Sequence, residues 1–487
     1  MSPYLILGLL IGYFVLLFGV SYFSGRKANN AGFFVGNRQN HWLIVAIATI
    51  GSTISGVTFV SVPGMVSGAG FSYLQMVLGF VVGQAVIAFV LLPLFYRLNL
   101  FSIYEYLDKR FGISAYKTGA WFFFIAKMLG ASVRIFLVVL TMQLLVFDPL
   151  GIPFFINALL TVFLVYIYTF FGGVKSVIST DVLKSVCLIL SVVLSIYFIS
   201  EALQLEFGSF TTLVKESDMS RVFFLDDIND KRFFWKQFLA GAFTMIATNG
   251  LDQDMMQRNL SCKSYKESQK NAMLSIAMQL VVITLFLLLG LLLYTYAAQF
   301  NIVLPAKGDE VFPFIATGNF FPVALGIVFI IGLIATSYSA AGSALTALTT
   351  SFTIDILEGR SKSESNLTRL RKRVHILMAV IMALCIYGFN IANSTSVIDA
   401  VYILSSYTYG PILGMFAFGM ISHRPIRDRW VPVVAILSPI LCFILDHNSE
   451  AWFGGYRFSY EILIINALFT IVGLAMISKS YETDTTR

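Results

Sequence analysis

Six charged side chains fall inside runs of sequence otherwise fit for lipid: Lys127, Arg134, Lys184, Asp181, Asp252 and Asp254. Ionised groups are costly in hydrocarbon, and where they occur they face a cavity or one another. The chemistry they offer is binding. The four histidines (His41, His375, His423, His447) sit at span ends or in loops, with no metal spacing and no nucleophile–base pair, so nothing here makes an enzyme. Cys187, Cys262, Cys385 and Cys442 lie far apart, without disulfide or zinc spacing. Arg134 stands near mid-bilayer, about fifteen residues into its span, too deep to snorkel easily. A guanidinium is always charged and grips carboxylates bidentately. Its partner is either a solute carboxylate or an internal one, Asp252 or Asp181. Lys127, nearer the cytosolic end, snorkels or pairs. Asp252 repels an anionic solute unless Arg134 or Lys127 neutralises it; with both pairs formed, a sugar or a zwitterion fits better.

Two segments interrupt helical character. IATIGSTISGVTF brackets Ser52, Thr53 and Ser55 between Gly51 and Gly56, and MIATNGLDQDMMQR carries Asn249-Gly250 ahead of Asp252. They lie five spans apart, each opening a five-span half, and an odd number of spans inverts the second copy. Paired broken helices at matching places in inverted halves point to a transporter's central site. The competing reading is that small residues merely let helices pack closely.

The elements that position these groups are membrane spans. The chain has 487 residues, 57% hydrophobic and 12% charged, about half the charged fraction of a soluble domain. About thirteen apolar segments of spanning length lie near 4–23, 42–66, 74–96, 119–146, 153–171, 180–200, 234–257, 272–299, 320–352, 375–393, 397–420, 431–446 and 460–478. The first is too long for a signal-peptide core and has basic residues after it, Arg26 and Lys27, rather than before it. Threading with the N-terminus outside and the C-terminus cytosolic places most Lys and Arg inside, Arg258 and the 369–373 cluster among them. That bias explains the net charge of +7 without nucleic acid. The expected organisation is a peripheral first helix (1–30), a first inverted repeat (40–204), a second (232–422), and two further helices with a short cytosolic tail (428–487).

Five stretches, in order along the chain, resemble the sodium:solute symporter family: LLPLFYRLNLFSIYEYLDKRFG (91–112), YTFFGGVKSVISTDVLKS (168–185), DQDMMQRNLSCKS (252–264), ATSYSAAGSALTALTTSFTIDIL (335–357) and YGPILGMFAFG (409–419). The first is similar to the branch carrying iodide, vitamins and monocarboxylates. The resemblance implies an all-α membrane protein of leucine-transporter type, with two inverted five-helix repeats, working by alternating access as a monomer in the plasma membrane (for a bacterium, the inner membrane). Its partners are the lipid bilayer and a small organic solute: a carboxylate, an acidic sugar or a sugar.

It also implies sodium as the co-transported ion. By the family's motif the main site falls on the carbonyls of Gly51, Ile54 and Thr336 and the hydroxyl of Ser339, with Ala340 where a second hydroxyl is usual; a water, Ser52 or Ser55 is left to supply that oxygen. A second cation site falls on Asp181, Ser339 and Ser343, with Gly342 again lacking a hydroxyl. Asp181 reads equally as a helix N-cap, and Ser339 and Ser343 as packing residues. A proton on Asp181 is the alternative driving ion, and a non-transporting solute sensor the alternative function. Thr53, Ser55, Thr58, Tyr73, Gln75, Arg134, Asn249 and Asp252 are the expected substrate contacts, with Tyr407 and Tyr409 beside a break at Gly410-Pro411.

Overall fold

The computed structural model describes residues 2–25, 40–98, 100, 102–318, 320–358, 363–392 and 397–478; the side chains of Ser21, Ser24, 171–179, Phe207, Ser339 and Ala392 lie outside the described set. The described chain is helical, with two isolated β-bridges and no strand. Its principal helices are α1 (Pro3–Gly25), α2 (Trp42–Thr53), α3 (Gly56–Gly64), α4 (Tyr73–Val86), α5 (Ile113–Met142), α6 (Phe154–Ala202), α7 (Phe234–Met245), α8 (Gln253–Leu260), α9 (Tyr265–Gln299), α10 (Gly308–Thr317), α11 (Val323–Ser351), α12 (Glu364–Ala392), α13 (Val397–Ile421), α14 (Val431–His447) and α15 (Ile462–Met476). Among the described residues eight helices are long and apolar enough to cross a membrane, or nine with the bent pair α2–α3 taken as one span.

Both interruptions expected from the sequence are present. The axis turns by 58° between α2 and α3. Hydroxyls cause part of this: Ser52 Oγ and Thr53 Oγ1 both donate to the Thr49 carbonyl, at 2.8 and 3.0 Å, competing with the helical ladder. Ile54 and Ser55 then adopt extended backbone. No backbone N–H among the described residues reaches the carbonyls of Gly51, Ser52, Thr53 or Ile54 across the turn. In the second interruption α7 widens into a π turn, Ile246–Gly250, and Asp252 restarts the helix as N-cap of α8, its Oδ1 accepting from the backbone N–H of Asp254 (2.9 Å) and Met255 (3.2 Å).

Two findings bear on the expected spans, the first on how two of them join and the second a correction. The fifth and sixth expected spans are joined in one helical stretch, α6, of 49 residues. Straight, it would be about 74 Å long, over twice the hydrocarbon thickness. Its contacts forbid that. The Tyr168 hydroxyl donates to the Tyr338 carbonyl, and Ser191 Oγ to the Val328 carbonyl at 2.9 Å. The donors would stand about 35 Å apart on a straight helix, the acceptors only about 15 Å apart on α11. The stretch is therefore bent, and its arms, 154–170 and 180–202, both flank α11. Asp181 lies within it and is not a helix N-cap.

Secondly, α13 runs unbroken through Gly410-Pro411. Proline removes the N–H that would serve the Tyr407 carbonyl four residues back. Asn466 of α15 replaces it, its Nδ2 donating to the Tyr407 and Ser406 carbonyls at 3.0 Å each. Gly410 admits this amide, since any Cβ there would overlap it.

Asn466→Leu should thus cost about 1–3 kcal/mol by stranding a buried carbonyl, seen as a lower unfolding temperature in detergent. Adding Pro411→Ala should recover part of the loss, because the new N–H reaches Tyr407. Simple additivity of the two changes would contradict this account.

Candidate functional site

The two interruptions face one cavity. A space of about 80 Å³ is lined by Thr53, Ser55 and Thr58 from the α2–α3 turn, Tyr73 of α4, Arg134 of α5, Thr244 to Asn249 from the end of α7, Gln279 of α9 and Tyr402 and Ser405 of α13. A second, of about 50 Å³, continues it past Thr53, Arg134, Thr248, Asn249 and Ser405 to Lys127, Asp252 and Tyr409. Tyr402 and Tyr409, two turns apart on α13, mark its ends. At one end the Tyr73 and Tyr402 hydroxyls meet at 2.5 Å. At the other, Tyr409 Oη donates to Asp252 Oδ2 at 2.7 Å.

Seven of the eight residues expected to touch substrate therefore line this space. Gln75 does not. It is fully buried, and its amide ties down the segment ahead of α7: Nε2 donates to the Arg232 carbonyl (2.8 Å) and Oε1 accepts from the Phe224 N–H (3.1 Å). A polar residue one turn into a span satisfies a loop as readily as a solute, and spacing does not separate the two.

The intramembrane charges form a chain of pairs. Lys127 Nζ lies 3.1 Å from both oxygens of Asp252 and 3.1 Å from Asp254 Oδ2. Arg258 bridges onward, with Nε 3.5 Å from Asp254 Oδ1 and Nη1 2.5 Å from Asp181 Oδ2. Lys184 Nζ closes the series 3.2 Å from Asp181 Oδ1. All six are buried. Lys127, Arg258 and Lys184 balance Asp252, Asp254 and Asp181, so the cluster is formally neutral. Arg258, counted as cytosolic from the sequence, is only 3% exposed.

Arg134 stands outside this cluster. It is half-buried, lines both parts of the cavity, and no carboxylate among the described residues pairs with it. Of the partners open to it from sequence, Asp252 is held by Lys127 and Asp181 by Arg258 and Lys184.

The same contacts occupy two of the groups expected at the second cation site. The Asp181 carboxylate already faces a guanidinium and an ammonium, and the Ser343 hydroxyl is met by Arg258. Gly342 has no room for the missing hydroxyl, because any side chain would overlap the Tyr168 ring hydroxyl. Ser339, named for both cation sites, lies outside the described side chains.

At the main site, Gly51 and Ile54 sit in the α2–α3 turn, both buried, Gly51 packed against Asp181 and Ser185 of α6. The Thr336 side chain is spent on the Gly332 and Leu333 carbonyls. The sequence reading missed Ser337. It is 4% exposed, its hydroxyl has no hydrogen-bond partner among the described residues, and it lies directly against Gly56. It precedes Ala340 by one turn on the same helix face, a signal visible in ATSYSAAGSA. Gln279 and Thr244 were missed too; Gln279 is the conspicuous polar residue in AMQLVVITLFLLLG.

Known proteins resemble this chain in sequence and in fold. The family model for the sodium:solute symporter family matches residues 33–427. The sodium/sialic acid symporter NanT of Aliivibrio fischeri is 25% identical over 93% of this chain and 90% of its own length. The human sodium/iodide cotransporter is 24% identical over 81% of this chain and 62% of its own length, and human sodium-coupled monocarboxylate transporter 1 is 26% identical over 88% and 69%. Among solved structures, the substrate-bound outward-open state of a Na+-coupled sialic acid symporter superposes with a TM-score of 0.82 at 20% identity, covering 97% of this chain and 98% of that one. The nucleobase-cation-symport-1 family transporter Mhp1 superposes at 0.54 and 12% identity. The fold is the leucine-transporter type. With the family model matched over most of its length and transporters aligned nearly end to end with it, the chain belongs to the sodium:solute symporter family.

Proposed function

We propose that this chain is a secondary active transporter that carries a small organic anion together with sodium by alternating access. Arg134 carries the reading. Among the described residues, every other charge lining the cavity has an opposite partner within the protein, so the cavity they form bears one uncompensated positive charge. Burying a lone guanidinium is costly unless something anionic meets it. A carboxylate supplies that charge in a planar, bidentate form. Asp252, which would oppose an anion if bare, is screened by Lys127 and Tyr409. Relatives named for sialic acid, monocarboxylates and iodide, all anions, support the same class.

Sodium is the driving ion in this reading. It needs hard oxygen donors. The α2–α3 turn frees the carbonyls of Gly51 and Ile54, and the family's motif assigns beside them the carbonyl of Thr336 and the hydroxyl of Ser339. The unpartnered Ser337 hydroxyl, one turn from Ala340, is the oxygen we assign in place of the one Ala340 lacks. Proton coupling through Asp181 fits poorly, because two protein cations already hold that carboxylate. We further read the chain as thirteen spans in two inverted repeats, 40–204 and 232–422, a monomer in the plasma membrane with its N-terminus outside. The cavity between one interruption from each repeat supports that arrangement.

Two outcomes follow. Arg134→Gln should reduce uptake of organic anions into proteoliposomes by roughly a hundredfold, the worth of a charge-assisted pair; unchanged uptake would remove the anion. Ser337→Ala should raise the sodium concentration for half-maximal binding, followed by tryptophan fluorescence in detergent, and Ala340→Ser in the same protein should bring it back. Sodium activation indifferent to both would leave Ser337 a packing residue.

A further inference from the structure

Four cations crowd one end of α12: Arg369, Arg371, Lys372 and Arg373. They belong to a stretch, 359–373, that carries six Lys or Arg against one acid, Glu364. The charge bias of the loops reads this end as cytosolic. That bias accounts for cations collecting here, but not for how they are arranged. Other cations counted to the same face are used by the protein. Arg110 donates to the Gly419 and Ser422 carbonyls, and Lys117 donates to the Asp355 carbonyl at 2.8 Å while pairing with Glu358. Arg369, Lys372 and Arg373 are exposed, and no carboxylate among the described residues pairs with them.

Their surroundings are apolar. α12 packs antiparallel on the first arm of α6. The Phe155 and Tyr387 rings lie 5.4 Å apart, the Tyr166 and His375 rings 5.1 Å apart, and Lys372 Nζ stands 5.5 Å from the centre of the Phe170 ring. Exposed apolar side chains border this seam, Ile376, Val380 and Leu384 from α12 and Phe155, Leu159 and Phe163 from α6. Arg369, Arg373 and Ile376 follow one another at spacings of four and three, so the cations extend the same helix face. From Ile376 to Ile391 that face is about 22 Å long, more than the roughly 15 Å of hydrocarbon in one leaflet. At the charged end the seam opens into a pocket of about 10 Å³ lined by Thr169, Phe170, Arg371, Lys372 and His375, room for roughly one oxygen. Its floor is fixed in place. His375 Nε2 lies 3.0 Å from Thr169 Oγ1 and Nδ1 lies 2.8 Å from Thr349 Oγ1, which fastens α12 to α6 and to α11.

A soluble anion would meet these charges and leave the apolar seam unused. A zwitterionic lipid would fill the seam but bring a cation of its own to the cluster. An anionic phospholipid matches both parts, and basic pockets between spans at a membrane interface are built for such headgroups. We propose that this end of the α6–α12 seam binds an anionic phospholipid. One phosphate oxygen enters the pocket beside Arg371 and Lys372, Arg369 and Arg373 flank the headgroup, and an acyl chain lies along the seam. None of these residues lines the solute cavity. The lipid acts instead as a brace between α12 and the first arm of α6, the two elements that His375 joins to α11.

The test is a set of thermal-shift titrations on the purified full chain, stripped of lipid in an uncharged maltoside detergent. The probes are dioleoylphosphatidylglycerol, dioleoylphosphatidylcholine with the same chains, and inorganic phosphate. Each basic side chain at an anionic surface is worth about fivefold in binding. The wild type should therefore reach half its stabilisation with at least about tenfold less phosphatidylglycerol than phosphatidylcholine. Arg369→Gln, Lys372→Gln and Arg373→Gln together should erase that preference, and Lys372→Gln alone should cut it about fivefold. The same change at Lys263, Lys266 and Lys270, three exposed cations counted to the same face, should leave it intact. Each preference is a ratio within one preparation, so lost folded protein cancels. Phosphatidylcholine acting as well as phosphatidylglycerol overturns the proposal. Protection by phosphate alone to the same extent overturns the lipid in favour of a soluble anion. A preference that survives the triple change in α12, or that falls equally in the Lys263, Lys266 and Lys270 control, overturns the site.

Discussion

The neutral chain of buried charges from Lys127 through Asp252, Asp254 and Arg258 to Asp181 and Lys184 holds the centre of this molecule together. It ties α5, α8 and the second arm of α6 to one another, and through Arg258 and Ser343 it reaches α11. Removing one partner of a buried pair costs about 3–5 kcal/mol, because the other is left uncompensated. The links are therefore interdependent. Asp252 shows this most clearly. One carboxylate caps α8, receives Lys127 and accepts from Tyr409, so the restart of the interrupted helix, a tie to α5 and a tie to α13 share two oxygen atoms.

Arg134 gains its meaning from that balance. A cation inside a membrane protein is ambiguous on its own, since most such groups are paired. Here the carboxylates within reach are already spent on other cations, so the remaining charge faces the cavity. By the same bookkeeping Asp181 and Ser343 are engaged by protein cations. On the proposed reading sodium is left the carbonyls of the α2–α3 turn and the hydroxyls of α11, where its binding would fix the angle of a bent span beside the solute.

Much of the fold was legible in the sequence, because its cause is local. Glycines, hydroxyls and Asn249-Gly250 interrupt apolar runs where the helices do break, and Thr53, Ser55, Thr58, Asn249 and Arg134 reach the cavity those breaks create. What was hidden depended on partners remote in sequence. Gln75 reads as a gate residue until the Arg232 and Phe224 backbones are seen to use its amide. Gly410-Pro411 reads as a break until Asn466 is found repairing it. Arg258 reads as a cytosolic residue of the positive-inside bias until Asp181, seventy-seven positions earlier, is placed against it. Gln279 carried a signal, one carboxamide in a long apolar run, but only the cavity shows what it faces.

The central claim is that the cavity carries one unmatched positive charge and takes an anion. Competition between an acid and its own neutral amide isolates that charge, because shape and hydroxyl pattern stay the same. Gluconate and hexanoate, set against gluconamide and hexanamide as ligands of the purified wild-type chain in sodium, make two such pairs. The account predicts that in at least one pair the acid binds on the order of a hundredfold more tightly than its amide, the difference between a charge-assisted pair and a neutral hydrogen bond at the cavity guanidinium. Equal binding of acid and amide, or preference for the amide, would contradict it.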